Sequence, residues 1–294
     1  MTMFPNFKHF SLAGAGATIH GVIGGSGPPL LLIHGYPQSH LIWHRVALEL
    51  AKHYTVVATD LRGYGASDKP VGEADHANYS KRAMAADQVA VMRSLGFDAF
   101  YLCGHDRGGR VSHRLAMDYP AAVKKLMLLD ISPTLTMYDN TTMDFAKSYW
   151  WWFFLIQPTP FPEQMIAANP EVYLKKKIGW GHAGLSCFTD ETYAAYLAYV
   201  SDPATMHGMC EDYRAAATID LVHDRADRAA GRRLTCPTHV LWGEFGVVNR
   251  CFKPVEDWQA VASTVSGKTL PCGHYVPEEV PVELTAEMLD FFRG

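Results

Sequence analysis

Short apolar runs bounded by turn residues punctuate the first part of the chain. Pro29–Ile33, Thr55–Thr59 and 100–103 are rich in aliphatic or β-branched residues, and 123–131 becomes apolar once past Lys124 and Lys125. Runs of this length predict buried strands. Between them, 40–51, 79–95 and 108–119 carry helical spacing; in the second, Met84, Val91 and Leu95 recur on one face. Strands alternating with helices imply βαβ units and a mainly parallel sheet. Segment 7–23 alternates as a leading β-hairpin. Gly21, Gly24, Gly25 and Gly27 precede a strand and open no helix, which predicts a turn and not a dinucleotide loop.

The pattern changes after Pro133. From Thr134 to about Arg232 the chain has helical spacing and clustered aromatics, including Trp150, Trp151, Trp152, Phe153 and Phe154, but no strand run. Strand and helix signals then return: a strand over 238–242, a helix over 255–262, a strand over 268–270 and a closing helix over 282–292. The reading is an α/β core, 1–133 and 233–294, interrupted by a helical cap, 134–232.

Composition narrows the class. The 294 residues are 48% hydrophobic and 19% charged, as a folded chain requires. A net charge of −4 argues against nucleic acid as a partner, and no apolar run reaches the ~18 residues of a membrane span. Met1 to Phe10 lacks the pattern of a signal peptide. The six cysteines form no Cys-x-x-Cys pair, and they read as reduced thiols of a cytoplasmic protein. No spacing gathers the histidines into a metal site, so none is expected.

Candidate chemistry centres on Gly104-His105-Asp106-Arg107-Gly108-Gly109-Arg110, predicted as strand, tight turn, helix. The segment resembles the nucleophile elbow G-x-S-x-G of α/β-hydrolases with Asp106 in place of serine. Taken alone, Asp106 also fits an ordinary helix N-cap. Three further segments favour a nucleophile. His34-Gly35-Tyr36-Pro37 follows a strand where that fold supplies one oxyanion-hole amide, so the donors would be the backbone N–H groups of Tyr36 and Arg107. Asp60 to Asp68 is a loop common in the same fold. His274 follows the last strand, where the fold places its base. The usual position for the acid that orients this base is Gly246, so Asp130, at the end of the preceding strand, takes the role, with Glu244 as the alternative.

A carboxylate nucleophile attacks a saturated carbon and leaves an ester on the enzyme, which water then hydrolyses. Alkyl halides and epoxides suit this chemistry. Arg107 and Arg110, beside the nucleophile, offer forked bonds to a substrate carboxylate. A neutral epoxide has no need of them. His105 is expected to be structural, Lys175 to Lys177 a solvated helix face, and Trp180 a residue of the pocket entrance.

Gly104 to Arg110, Asp130-Ile131-Ser132-Pro133-Thr134 and Asp212 to Leu221 closely resemble the haloacetate (fluoroacetate) dehalogenases, nearly end to end. The resemblance implies Asp106 as nucleophile, Asp130 and His274 as the water-activating pair, and Arg107 and Arg110 as the carboxylate clamp. It implies a small anionic haloacid as substrate, no cofactor and a homodimer. In that family a His-Trp pair and a tyrosine donate hydrogen bonds to the halide. Trp152 matches the tryptophan and Tyr213 the tyrosine, but Trp151 stands at the histidine position. Losing a donor of roughly 1.5–3 kcal/mol would slow C–F cleavage about 10–150-fold. The expectation is therefore turnover of chloro- and bromoacetate, with fluoroacetate impaired. The alternatives are an epoxide hydrolase, with Tyr213 and Tyr149 recruited to protonate the opening oxygen, and a non-catalytic ligand receptor of the same fold.

Overall fold

The computed structural model describes residues 3–293. Met1 and Thr2, the first residues of the expected leaderless N-terminus, lie outside the described residues. Among the described residues eight strands form one sheet: β1 (Lys8–Ala13), β2 (Thr18–Gly25), β3 (Pro29–Ile33), β4 (Thr55–Thr59), β5 (Phe100–His105), β6 (Val123–Leu129), β7 (Thr238–Gly243) and β8 (Val265–Leu270). Their order is β1-β2-β4-β3-β5-β6-β7-β8. The first two pairings are antiparallel, and all those from β4 to β8 are parallel. The expected hairpin and parallel sheet are both present.

The central strands are apolar without alternation because helices cover both faces. Leu31, Ile33, Leu102, Leu126 and Leu128 enter one core, with the aromatics of 145–155. Leu30, Leu32, Cys103, Met127 and Leu129 enter a second core on the opposite face, with Leu284 and Met288 of the closing helix. Helices Lys81–Ser94 and Arg107–Asp118 account for the predicted helical stretches between strands.

Two expectations about the sheet are corrected. Gly21, Gly24 and Gly25 do not form a turn but lie within β2, and only Gly27 falls between strands. The missing side chains leave room for aromatics of β1 and its lead-in: a Cβ at Gly21 would meet Phe10 at 2.5 Å, and one at Gly24 would meet Phe7 at 2.6 Å. In addition, β6 stops at Leu129, because Asp130 takes a left-handed backbone (φ 51°) that turns the chain out of the sheet.

Between β6 and β7 the chain forms eight helices among the described residues, from Thr134–Asp139 to Ile219–Ala229. Their aromatic side chains share the core of one sheet face. Within the described residues no helix is long and apolar enough to cross a membrane.

Candidate active site

β3 has β4 on one side and β5 on the other. In parallel sheets the crevice beyond such carboxyl ends is where ligands bind. β5 ends there in the elbow. Asp106 has φ 47° and ψ −113°, a conformation an L-residue holds only under local constraint. The constraint is the close approach of turn, strand and helix. A Cβ at Gly104 would meet the Gly108 carbonyl at 2.5 Å, and one at Gly108 would meet the Ile33 carbonyl at 2.4 Å. The helix Arg107–Asp118 starts at once, so the Arg107 N–H is free of intrahelical bonding.

The Asp106 carboxylate is buried and its two oxygens have different surroundings. Oδ1 accepts the Tyr36 backbone N–H at 2.9 Å. Oδ2 lies 3.8 Å from Nε2 of His274. Burial is the largest influence on this carboxyl and raises its pKa. The surrounding His274, His105, Arg110 and Arg107 together outweigh burial and hold it down at about 2. The group is therefore an anion at neutral pH.

On its other side, His274 Nδ1 contacts Oδ2 of Asp130 at 2.6 Å. The Asp130 Oδ1 accepts the Gly243 N–H at 3.0 Å. A Nδ1–H donated to Asp130 leaves the Nε2 lone pair toward Asp106, which is the tautomer a base requires. A Cβ built on Gly246 would meet Oδ1 of Asp130 at 3.4 Å. An acid on the loop after β7 and an acid at the end of β6 thus reach one place. Glu244, the alternative, is exposed. His105 is fully buried, with Nε2 2.8 Å from the His274 carbonyl oxygen. Burial lowers its pKa to about 3, so it is a neutral support for the loop that carries His274.

Arg107 and Arg110 both reach the site, in different states. Arg107 donates from Nε (2.9 Å) and Nη2 (2.7 Å) to the buried carboxylate of Asp212, and its guanidinium lies 4.1 Å over the Tyr213 ring. Lys81 and the Tyr64 hydroxyl bind the same carboxylate. Arg110 donates from Nη1 to Thr134 Oγ1 at 2.9 Å and lies 4.7 Å over the Trp152 ring. Each keeps one buried donor without a protein partner, Nη1 of Arg107 and Nε of Arg110. Burial lowers the Arg110 pKa from its ordinary value, with Arg107 adding to the effect, while for Arg107 burial is outweighed by Asp212, which raises it. The pair remains cationic beside Asp106.

Three buried aromatic donors pack against the two arginines and one another. Trp151 is buried, and its Nε1–H donates to the Tyr213 hydroxyl at 3.2 Å. The Trp152 Nε1–H is buried without a partner. The Tyr213 ring packs edge-on to that of Tyr36 at 5.1 Å. The Tyr149 hydroxyl lies 3.4 Å from Nδ1 of His274. Trp180 lines a cavity of about 410 Å³ together with Ser148, His182, Phe245, Arg250 and His274, so it stands where a pocket entrance would be.

Two residues of the site escaped the reading of the chain. Asp212 stands next to Tyr213 in the sequence, but its ion pair with Arg107 spans 105 positions. Lys177 is not on a solvated face. Lys175 and Lys176 are exposed, whereas Lys177 is 1% exposed, because it shares the inward face of Pro170–Ile178 with Tyr173, Leu174 and Ile178. The inward i, i+4 partners of Lys177 were the available signal.

The family model of the alpha/beta hydrolase fold matches residues 28–250, from the entry of β3 to the helix that follows β7, and the chain belongs to that family. Within it, the chain is a relative of the fluoroacetate dehalogenases. It is 45% identical over 291 residues to "Fluoroacetate dehalogenase" from Burkholderia sp, covering 99% of this chain and 95% of that protein. It is also 33% identical over 282 residues to "Soluble epoxide hydrolase" from Corynebacterium sp. (strain C12), covering 94% of each. The crystal structure of ALR0039 from Nostoc sp PCC 7120 superposes with a TM-score of 0.95 at 52% identity, covering 97% of this chain and 98% of that one.

Proposed function

We propose that the protein is a hydrolytic dehalogenase of small 2-haloacids, converting a haloacetate and water to glycolate and halide. The observation that carries this reading is a buried Asp106 carboxylate facing His274 on one side and two buried guanidinium groups on the other. The free donors of Arg107 and Arg110 bind the substrate carboxylate and aim its α-carbon at Asp106. Oδ2 attacks that carbon, the C–X bond breaks, and X⁻ departs with its electrons. Trp152 and Tyr213 solvate the halide, and Trp151 reaches it only through the Tyr213 hydroxyl. Nε2 of His274 then takes a proton from water, and the hydroxide attacks the Asp106 carbonyl carbon. The Tyr36 and Arg107 amides hold the oxyanion on Oδ1. Collapse expels glycolate, which takes the proton from His274; the Asp106 carboxylic acid left behind gives its proton through His274 to solvent, which restores the carboxylate and accounts for the one proton released per turnover. The segment 134–232 acts as a cap that keeps bulk water from this sequence.

The test is halide release from fluoroacetate, chloroacetate and bromoacetate by the purified protein, with Asp106→Asn as control. Chloride and bromide release that disappears in the variant supports the reading, with fluoride the slowest product. The likeness to an epoxide hydrolase favours a second reading, in which Tyr213 or Tyr149 donates to an opening epoxide oxygen. Turnover of styrene oxide without any halide release would establish that reading instead.

A further inference from the structure

Lys177 is a buried cation whose hydrogen-bond partner is not an acid. Its Nζ donates to the Tyr275 hydroxyl at 2.9 Å. It lies 4.0 Å from the centroid of Trp151, 5.4 Å from that of Tyr36 and 5.3 Å from that of Tyr275. Methionine would fill such an aromatic cage without the desolvation cost of an ammonium. The placement therefore calls for a use of the charge.

The indole under that charge is not idle. Trp151 donates its Nε1–H to the Tyr213 oxygen, which leaves the Tyr213 proton available for another acceptor. A cation on the face of an indole withdraws electron density and makes its N–H a stronger donor. A stronger bond into the Tyr213 oxygen in turn makes the Tyr213 O–H a stronger donor, as in any polarised chain of hydrogen bonds. Asp106 acts electrostatically on both ends of this chain, Lys177 and Tyr213, and Tyr36, whose N–H binds Oδ1 of Asp106, packs edge-on against Tyr213 at 5.1 Å.

We propose that Lys177 is a positioning residue for leaving-group departure, acting through Trp151 on the Tyr213 hydroxyl that solvates the departing halide. The inference rests on the dehalogenase reading of the same site. No proton is transferred along the chain: the C–X electrons leave on X⁻, Tyr213 keeps its proton in a shortened hydrogen bond, and Lys177 keeps its charge.

The charge is conditional. Burial lowers the Lys177 pKa to about 7, with Asp106 opposing the shift. Asp106 and His105 face it from the elbow, Tyr36 from the loop after β3, Tyr275 from the loop of His274, and Tyr213 from beyond Trp151. The contribution is present below pH 7 and is lost as pH rises through that value.

The experiment is single-turnover halide release from chloroacetate and bromoacetate by wild type, Lys177→Met and Lys177→Arg, from pH 6 to pH 9, with melting temperatures alongside. Lys177→Met should slow chloride release about tenfold, slow bromide release less, and remove the decline above pH 7. It should melt no lower than wild type. Lys177→Arg should restore the rate at pH 9, because a guanidinium keeps its proton there. Equal losses for both halides, or an unchanged alkaline decline in Lys177→Met, overturn the inference while leaving the dehalogenase reading intact. No halide from wild type with either substrate overturns that reading, and the inference with it.

Discussion

His274 Nδ1 lies 2.6 Å from Oδ2 of Asp130. Its other nitrogen, Nε2, lies 3.8 Å from Oδ2 of Asp106, beyond hydrogen-bond reach. One imidazole thus has a firm acceptor on one nitrogen and a spaced carboxylate on the other. The spacing suits a base that works on water next to the nucleophile, not one that deprotonates it. The two half-reactions can therefore be separated. His274→Ala should release about one equivalent of chloride from chloroacetate and then stop. Mass spectrometry of its digest should find a carboxymethyl group on the peptide of Asp106. Steady chloride turnover by this variant would remove His274 from the mechanism.

The contact between Gly246 and Asp130 gives a relocation test. Asp130→Gly should lower steady-state turnover about 10²–10⁴-fold, as expected when a base loses its orienting acid. Gly246 has an extended backbone (φ −85°, ψ 166°) that any residue adopts, and its Cβ direction meets Oδ1 of Asp130 at 3.4 Å. Adding Gly246→Asp to Asp130→Gly should recover part of the rate. A double variant as slow as the single one would mean that the acid must come from β6.

The clamp predicts a charge-specific penalty. Arg110→Met removes a buried cation from beside Asp106, and KM for chloroacetate should rise about 10–150-fold for a lost bond of ~1.5–3 kcal/mol. Chloroacetamide, which lacks the negative charge, should be affected far less. Equal effects on acid and amide would argue against carboxylate recognition by Arg110.

Trp151 can be tested in the gaining direction. Its N–H is engaged by the Tyr213 hydroxyl, so no donor of its own is left for a halide. Trp151→His offers a smaller ring whose N–H can turn to the halide, and two donors when the imidazole is protonated. The ratio of fluoride to chloride release should rise about tenfold or more. Steady-state halide release from the two haloacetates measures this directly. An unchanged or lower ratio would show that the wild-type donors already suffice for fluoride.

Glu278 gives a stability prediction with a defined sign. Its carboxyl is fully buried, with Oε1 accepting the Tyr196 hydroxyl at 3.0 Å and Oε2 without a hydrogen bond, 3.9 Å from Nδ1 of His44. Burial raises its pKa from 4.5 to about 8. Between these values the folded state holds the proton and the unfolded state does not, so stability falls as pH rises through the window, by at most about 1.4 kcal/mol per pH unit. Glu278→Gln should melt close to wild type at pH 5 and above it at pH 8. Parallel melting curves across that range would show that Glu278 is ionised in the folded protein.

The elements that hold the candidate residues were legible along the chain. Apolar runs fixed β3 to β7 because a parallel sheet buries both faces, and Gly104, Gly108 and Gly109 fixed the elbow because nothing larger fits where strand and helix meet. Local motifs were enough to propose Asp106, Asp130 and His274 as one set, and the fold brings the three side chains together. The sequence misjudged Gly21, Gly24 and Gly25: the aromatic rings that fill the space above Gly21 and Gly24 come from another strand and its lead-in, and Gly25 is crowded by the backbone of Ala51 and Tyr54. The states of the charged groups follow from the folded arrangement alone. Arg107 is half-committed to Asp212, the N–H of Trp151 is bound to Tyr213, and Lys177 lies within an aromatic cage, although the two lysines before it point to solvent. Each of these depends on partners far along the chain, and burial and charge pairing are set by what surrounds a side chain in space, which periodicity along one helix does not encode.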